Sequence, residues 1–309
     1  MRNAFAATLT DLAAKDERIV LLSGDIGNRL FDKYREQFPS RFYNCGVAEA
    51  NMTGMAAGLA LSGLRPFTYT ITPFATTRVI EQIRVDICYH DVPVVIVGTG
   101  SGLSYASLGP THHSCEDVGI LRCFPNLTVL CPADAMEVGP AMEAALALPG
   151  PVYIRLGKKG EPTIHEKPPK FEVGRGLVMQ EGADVCLLGM GTLVSVALGA
   201  AKKLMSQGIS ARVVSMHTVK PLDEQLLRDS FDRFRVVAVV EEHSVIGGLG
   251  SAVAEWLAAH GPKQGVLEAI GTPDAFISAA GSQQWMRDQC GLTPEAVAER
   301  INRRFRALR

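Results

Sequence analysis

Phe42–Gly63, FYNCGVAEANMTGMAAGLALSG, reads as a short strand and turn over Phe42–Val47 running into a helix built from small residues. Gly54, Ala56, Ala57, Gly58 and Ala60 give that helix a surface that another backbone can approach closely. Glu49 stands at the junction. Taking an ionised carboxylate out of water without a partner costs roughly several kcal/mol, so an acid buried there needs a partner. At this point two readings stay open, a carboxylate that handles a cofactor and an ordinary helix-capping or surface acid.

Outward from this stretch, apolar runs alternate with helical patterns. IVLLSG (Ile19–Gly24), RPFTYTI (Arg65–Ile71), VPVVIVGTG (Val92–Gly100), LTVLCP (Leu127–Pro132) and PVYIRLG (Pro151–Gly157) read as strands. Helices are expected near Gly46–Leu61, from Phe74 to Tyr89 and from Ala133 to Leu148. In the second of these, Val79, Ile80, Ile83, Val85 and Ile87 are expected inside, with Glu81, Arg84 and Asp86 on the wet side. Such alternation predicts a parallel α/β sheet. EKPPKFEVGR (Glu166–Arg175) breaks the rhythm, because Pro168 and Pro169 continue neither element. The same rhythm restarts with DVCLLGMGT, SARVVSMHTVKP and RVVAVVEEH, with helices at Val194–Gln207, Asp223–Phe234 and Gly250–His260. Two doubly wound α/β domains are expected, over residues 1–165 and 179–309, with a linker at 166–178.

Composition narrows the class. With 309 residues, 47% hydrophobic and 20% charged, the chain can bury sizeable cores. Thirty-one basic against thirty-two acidic residues leave a net charge of −1, so no overall field recruits nucleic acid or an anionic membrane. Seven cysteines, an odd count without a C-x-x-C pair, read as reduced thiols rather than a zinc site or disulfide framework. The N-terminus lacks signal-peptide architecture and no apolar run approaches the ~18 residues of a membrane span, so a cytoplasmic location is expected.

Chemistry concentrates in GTGSGLSYASLGPTHHS (Gly98–Ser114), a glycine- and serine-rich loop leaving the end of an apolar strand, where open α/β sheets bind ligands. Its glycines fit neither the dinucleotide fingerprint nor a P-loop. His112 and His113 close it after Gly109–Pro110, and histidine passes protons near neutral pH. No further metal ligand accompanies them, so a proton-transfer or substrate-contacting role is favoured over metal binding. Glu241, Glu242 and His243 sit at another strand end and read as interface or loop-ordering groups.

Taken together, GVAEANMTGMAAGLALSG, RPFTYTITPF, GPTHHSCEDVGILRCFPNLTVLCPADAMEV, PVYIRLG and HTVKPLD resemble the transketolase and deoxyxylulose-phosphate synthase group of thiamine-diphosphate enzymes, in order and spacing. The resemblance covers the pyrimidine-binding and C-terminal domains of a full-length enzyme. It implies that a partner chain, an N-terminal-half transketolase subunit, supplies the diphosphate-binding domain and most ligands of Mg²⁺ or Ca²⁺, since Gly24-Asp25-Ile26 is not the G-D-G motif of that domain. A heterotetramer of two plus two chains is expected, with the C-terminal domain contributing little chemistry. Matched residue by residue, the resemblance implies that Glu49 bonds a pyrimidine ring nitrogen of thiamine diphosphate, that Phe74 stacks on that ring and that Asp25 lies near the cofactor. His112 would face the reacting carbons and Arg155, with Lys158 beside it, would hold a substrate phosphate.

Two positions depart from the sugar-phosphate pattern. Leu108 stands where such enzymes carry an aspartate that reads a substrate hydroxyl, and Gly100 stands where they carry a phosphate-contacting histidine. Either the acceptor differs from the usual pentose and tetrose phosphates, or the partner chain and Ser101, Ser104, Tyr105 and Ser107 supply the contacts. The resemblance implies transfer of a two-carbon ketol unit from a ketose to an aldose. A pyruvate-using synthase subunit and a non-catalytic regulatory relative are the alternatives.

Overall fold

The computed structural model describes residues 1–27, 29–261 and 263–308. Seven strands form the first sheet: β1 (Ile19–Ser23), β2 (Phe42–Asn44), β3 (Arg65–Ile71), β4 (Val95–Thr99), β5 (Thr128–Leu130), β6 (Val152–Leu156) and, from far along the chain, β10 (Thr218–Lys220). Five form the second: β7 (Leu177–Gln180), β8 (Val185–Gly189), β9 (Ala211–Ser215), β11 (Val236–Ser244) and β12 (Val266–Thr272). Spatial order is β10-β5-β6-β4-β3-β1-β2 in one and β12-β11-β8-β9-β7 in the other. All pairings are parallel except β10 with β5 and β7 with β9, which close an edge of each sheet. Every residue of β1, β4, β6 and β8 is buried, as expected of parallel strands covered by helices on both faces.

The order places a ligand crevice. From β1 the chain crosses to β2 on one side, whereas from β3 it moves to β4 on the other, so the crevice opens where the C-terminal ends of β1 and β3 meet. Segments leaving β1, β2, β3 and β4 carry Asp25, Glu49, Phe74 and Gly100 respectively.

The helix from Phe74 to Tyr89 that the sequence predicts is broken. A turn of α-helix at Thr72–Ala75 gives way to a 3₁₀ turn at Thr77–Val79 and ends in wide π-type turns over Ile83–Tyr89. The cause is local, since the Thr76 and Thr77 hydroxyls donate to the carbonyls of Thr72 and Pro73 four residues back, at 2.7 and 2.8 Å, within a β-branched run that favours helix weakly. Ile80, expected inside, is 39% exposed as a result, and Arg78 is turned back toward Phe74.

The halves are knit together rather than merely linked. β10 lies beyond the linker in sequence yet extends the first sheet, and one apolar cluster runs from Val20 and Tyr153 through Met216 to Phe231 and Trp256. Across the same seam Arg122 donates to Glu255 at 2.9 Å. All seven cysteines are unpaired, and no described helix is long and apolar enough to cross a membrane.

Candidate active site

Glu49 opens the helix Glu49–Leu61 and is only 3% exposed. The turn before it is set by Asn44, whose side chain accepts from the Gly46 N–H at 2.9 Å and donates to Asp25 at 2.9 Å. Gly46 has φ +66°, which glycine adopts without strain. Asp25 is itself exposed and left-handed at φ +54°, so it stands on the crevice rim, tied to the turn that delivers Glu49. In the first turn of the helix the Glu49 carboxylate gains from unpaired backbone N–H groups and their dipole. Below it a Cβ on Gly24 would meet Thr70 Oγ1 at 3.0 Å and Glu49 Cγ at 3.5 Å. Thr70 Oγ1 is buried there without a hydrogen-bond partner.

The partner that a buried acid requires is Arg78. Its Nη1 donates to Glu49 Oε2 at 2.9 Å while its guanidinium carbon lies 4.0 Å from the centroid of the Phe74 ring. Phe74 also meets His112 edge-on, with ring centroids 5.3 Å apart, and His112 lies 6.1 Å from Tyr105. Thr111 Oγ1 pairs with His112 Nδ1 at 2.9 Å, which leaves Nε2 as the free nitrogen. Arg78 therefore joins Glu49 to Phe74, and Phe74 in turn meets His112.

The loop beyond β4 forms the facing wall. Gly102 pairs with Ser114 through reciprocal backbone bonds of 2.9 Å, and Ser101 bonds the Leu156 carbonyl. Gly100 has φ +72°, and a Cβ there would fall 2.0 Å from Tyr105 Cε2. Tyr105 thus takes the space a larger side chain at position 100 would need, and Lys158 Nζ covers its ring at 4.1 Å. Leu108 is 51% exposed on the same rim, just before Gly109.

Arg155 lies away from the rim. The sequence expectation put it on a substrate phosphate, but it is 4% exposed and faces the domain seam. Its Nε donates to Asp117 at 2.8 Å, and its Nη2 serves the Ser114 and Glu242 carbonyls at 3.1 and 3.0 Å. Tyr153 adds a 2.6 Å bond to the same carboxylate. Burial alone would raise the Asp117 pKa, yet Arg155 outweighs it and holds the carboxyl below its usual range. Two charges buried together and hydrogen-bonded to one another give Arg155 a structural partner within the chain.

Sequence reasoning missed Arg78, although it lies four residues after Phe74, the spacing of neighbours on a helix face. Glu242, read from the sequence as an interface or loop-ordering group, accepts from the Leu103 N–H at 2.6 Å, from Gln283 at 2.8 Å and from Arg287. A second-sheet carboxylate thus clamps the first-sheet loop carrying Tyr105 and Leu108. Its neighbour Glu241 accepts the Leu249 and Gly250 N–H groups at a helix start, and burial pushes its carboxyl up to about 7 despite them.

That shift carries a pH signature. Because the folded pKa exceeds the unfolded value near 4.5, the stability contributed by protonated Glu241 is full below pH 4.5 and lost by about pH 7. Three histidines held low by burial, His113, His217 and His243, push in the opposite sense below their ordinary value. The difference between wild type and Glu241→Gln isolates the glutamate. Between pH 5 and about pH 7 melting curves are expected to shift in favour of the variant and to level off above that, and a gap independent of pH contradicts the assignment.

The chain is similar to known proteins along nearly its whole length. Residues 1–162 match the transketolase pyrimidine-binding domain and residues 174–297 the transketolase C-terminal domain. A putative transketolase C-terminal section from Methanocaldococcus jannaschii is 38% identical over 304 residues, covering 97% of this chain and 95% of that one. The 6-deoxy-6-sulfo-D-fructose transketolase subunit SqwH from a Clostridium species is 39% identical over 298 residues, covering 96% and 92%. A solved split gene transketolase, described as an inactive beta4 tetramer, superposes with a TM-score of 0.89 at 38% identity, covering 98% of this chain and 97% of that one. Two matched domain models and relatives 38% and 39% identical over nearly the whole chain place it in the transketolase family.

Proposed function

We propose that this chain is the pyrimidine-holding half of a two-chain transketolase that moves a two-carbon ketol unit from a ketose to an aldose. The observation that carries the reading is the Glu49 carboxylate, buried beside the Phe74 ring and already engaged by a flat N–H donor. A diphosphate-binding partner would bring Mg²⁺ or Ca²⁺ and the diphosphate contacts, in a heterotetramer of two plus two chains. The names of a split relative and of a transketolase subunit support the existence of a partner chain.

The residues present fit the pyrimidine end of thiamine diphosphate. Glu49 offers one buried acceptor, Phe74 an apolar face, and Thr70 an unused hydroxyl nearby. When bound, thiamine diphosphate supplies the carbon nucleophile that accepts the ketol unit. Glu49 would hold a proton between its carboxylate and a ring nitrogen, and Phe74 would fix the ring plane, a contact worth about 0.5–1.5 kcal/mol beyond burial. With Nδ1 taken by Thr111, His112 would present Nε2 to substrate and move a proton at a hydroxyl oxygen. Lys158, over Tyr105 at the rim, replaces Arg155 as this chain's anion contact. Asp25 would orient the turn beside the cofactor through Asn44.

Specificity would lie at the rim. Because Leu108 is half exposed where a carboxylate would read a hydroxyl, Leu108→Asp should change the ratio of kcat/KM for a hydroxylated aldose phosphate over glycolaldehyde by about ten-fold in the two-chain complex. An unchanged ratio assigns acceptor recognition to the partner or to the serines of the loop. The function as a whole is tested by assaying the chain, mixed with a partner carrying the diphosphate-binding domain, for ketol transfer that requires both chains and thiamine diphosphate.

A further inference from the structure

We propose that Arg78 is an internal occupant of the pyrimidine cradle, which fills the place of the cofactor's ring in the cofactor-free chain and must swing out before that ring can enter. The inference rests on the reading of Glu49 and Phe74 as the cradle. Its own ground is the position of one side chain. The guanidinium is flat, delocalised and edged with N–H donors, and it lies over the Phe74 face at 4.0 Å with Nη1 on Glu49 at 2.9 Å. An aminopyrimidine offers the same combination, a flat face to stack and polar ring-edge atoms for an acid. Both groups cannot stack on the same face of Phe74 and reach the same Glu49 oxygen at once.

Burial shows why a stand-in is useful and why it can leave. Glu49 is 3% exposed, so without a partner the cofactor-free chain would hold an uncompensated buried charge. Arg78 is 43% exposed at its side chain, so its outer half is already in water, and among the described residues its departure breaks one hydrogen bond, to Glu49, and the contact with the Phe74 ring. It sits in the 3₁₀ turn forced by Thr76 and Thr77, so the irregular segment aims it at the site. Since only the fraction of chains with Arg78 displaced can accept the ring, the apparent cofactor affinity falls by that fraction.

The test compares wild type, Arg78→Ala, Arg78→Lys, Glu49→Gln and Phe74→Ala. Thiamine diphosphate with Mg²⁺ is titrated by calorimetry into each two-chain complex, and the melting temperature of each chain alone is measured without cofactor. The expected result is that Arg78→Ala lowers the cofactor-free melting temperature yet tightens cofactor binding by about five- to ten-fold. Arg78→Lys, which keeps the charge without the flat fork, should fall between. If Arg78→Ala weakens binding or leaves it unchanged while Glu49→Gln and Phe74→Ala weaken it, the cradle stands and the occupant proposal is overturned. If Glu49→Gln and Phe74→Ala leave binding unchanged, the cradle reading itself fails and takes the proposal with it.

Discussion

Glu49→Gln is expected to lower ketol transfer by the two-chain complex by roughly 10²–10⁴-fold, the range for loss of a positioned acid–base group. Glutamine keeps the length and one acceptor oxygen, but its amide cannot share a proton with a ring nitrogen. The folded structure should survive, because the carboxylate it replaces is the costly member of the Glu49–Arg78 pair. Steady-state rates at saturating cofactor, with circular dichroism to check the fold, decide the matter. A variant with wild-type kcat removes Glu49 from the chemistry and returns it to the role of an ordinary buried acid.

The second large effect falls on stability. Asp117→Ala leaves the Arg155 guanidinium buried without its counter-charge and strips Tyr153 of its acceptor, so unfolding free energy should drop by about 3–5 kcal/mol. Urea denaturation of the isolated chain reads this as an earlier midpoint. The same experiment on Arg155→Lys separates structural from substrate use. A lysine cannot bond Asp117 and the Ser114 and Glu242 carbonyls as one planar fork, so the midpoint should fall. An unchanged midpoint with a raised KM for phosphorylated substrates restores the phosphate-binding assignment and contradicts the ion-pair account.

Much of the architecture was legible because strands buried on both faces are written as continuous apolar runs. RPFTYTI coincides with β3 from Arg65 to Ile71, and the helix expected at Val194–Gln207 runs from Val194 to Ser206. SARVVSMHTVKP was less legible. It reads as one strand, yet it splits at Met216–His217 into β9 and β10, and only the second belongs to the first sheet. Apolar periodicity reports that a segment is buried and is silent about which sheet receives it.

The site divides in the same way. Glu49, Phe74 and His112 stand out in the sequence because each sits in a motif at a strand end, where loops converge. The surroundings of Arg155 were not legible, for a physical reason. Its motif ends a strand, but the residue lies between Ile154 and Leu156, both buried, and its partner Asp117 is 38 positions away in another element. Nothing local distinguishes an arginine facing the crevice from one facing the seam. Arg78 was hidden differently. On a helix face it would pass for a solvated charge beside Phe74, and nothing local in the sequence says that the Glu49 carboxylate lies within its reach. Glu242 likewise reads as a strand-end acid until α/β packing brings Leu103, Gln283 and Arg287 to it.

The central claim is most directly tested by a crystal structure of this chain bound to its diphosphate-binding partner and thiamine diphosphate. The account predicts a pyrimidine ring stacked on Phe74, one ring nitrogen within hydrogen-bond distance of the Glu49 carboxylate, and Arg78 displaced toward solvent. A heterocycle bound away from Phe74, with Glu49 still paired to Arg78, contradicts it.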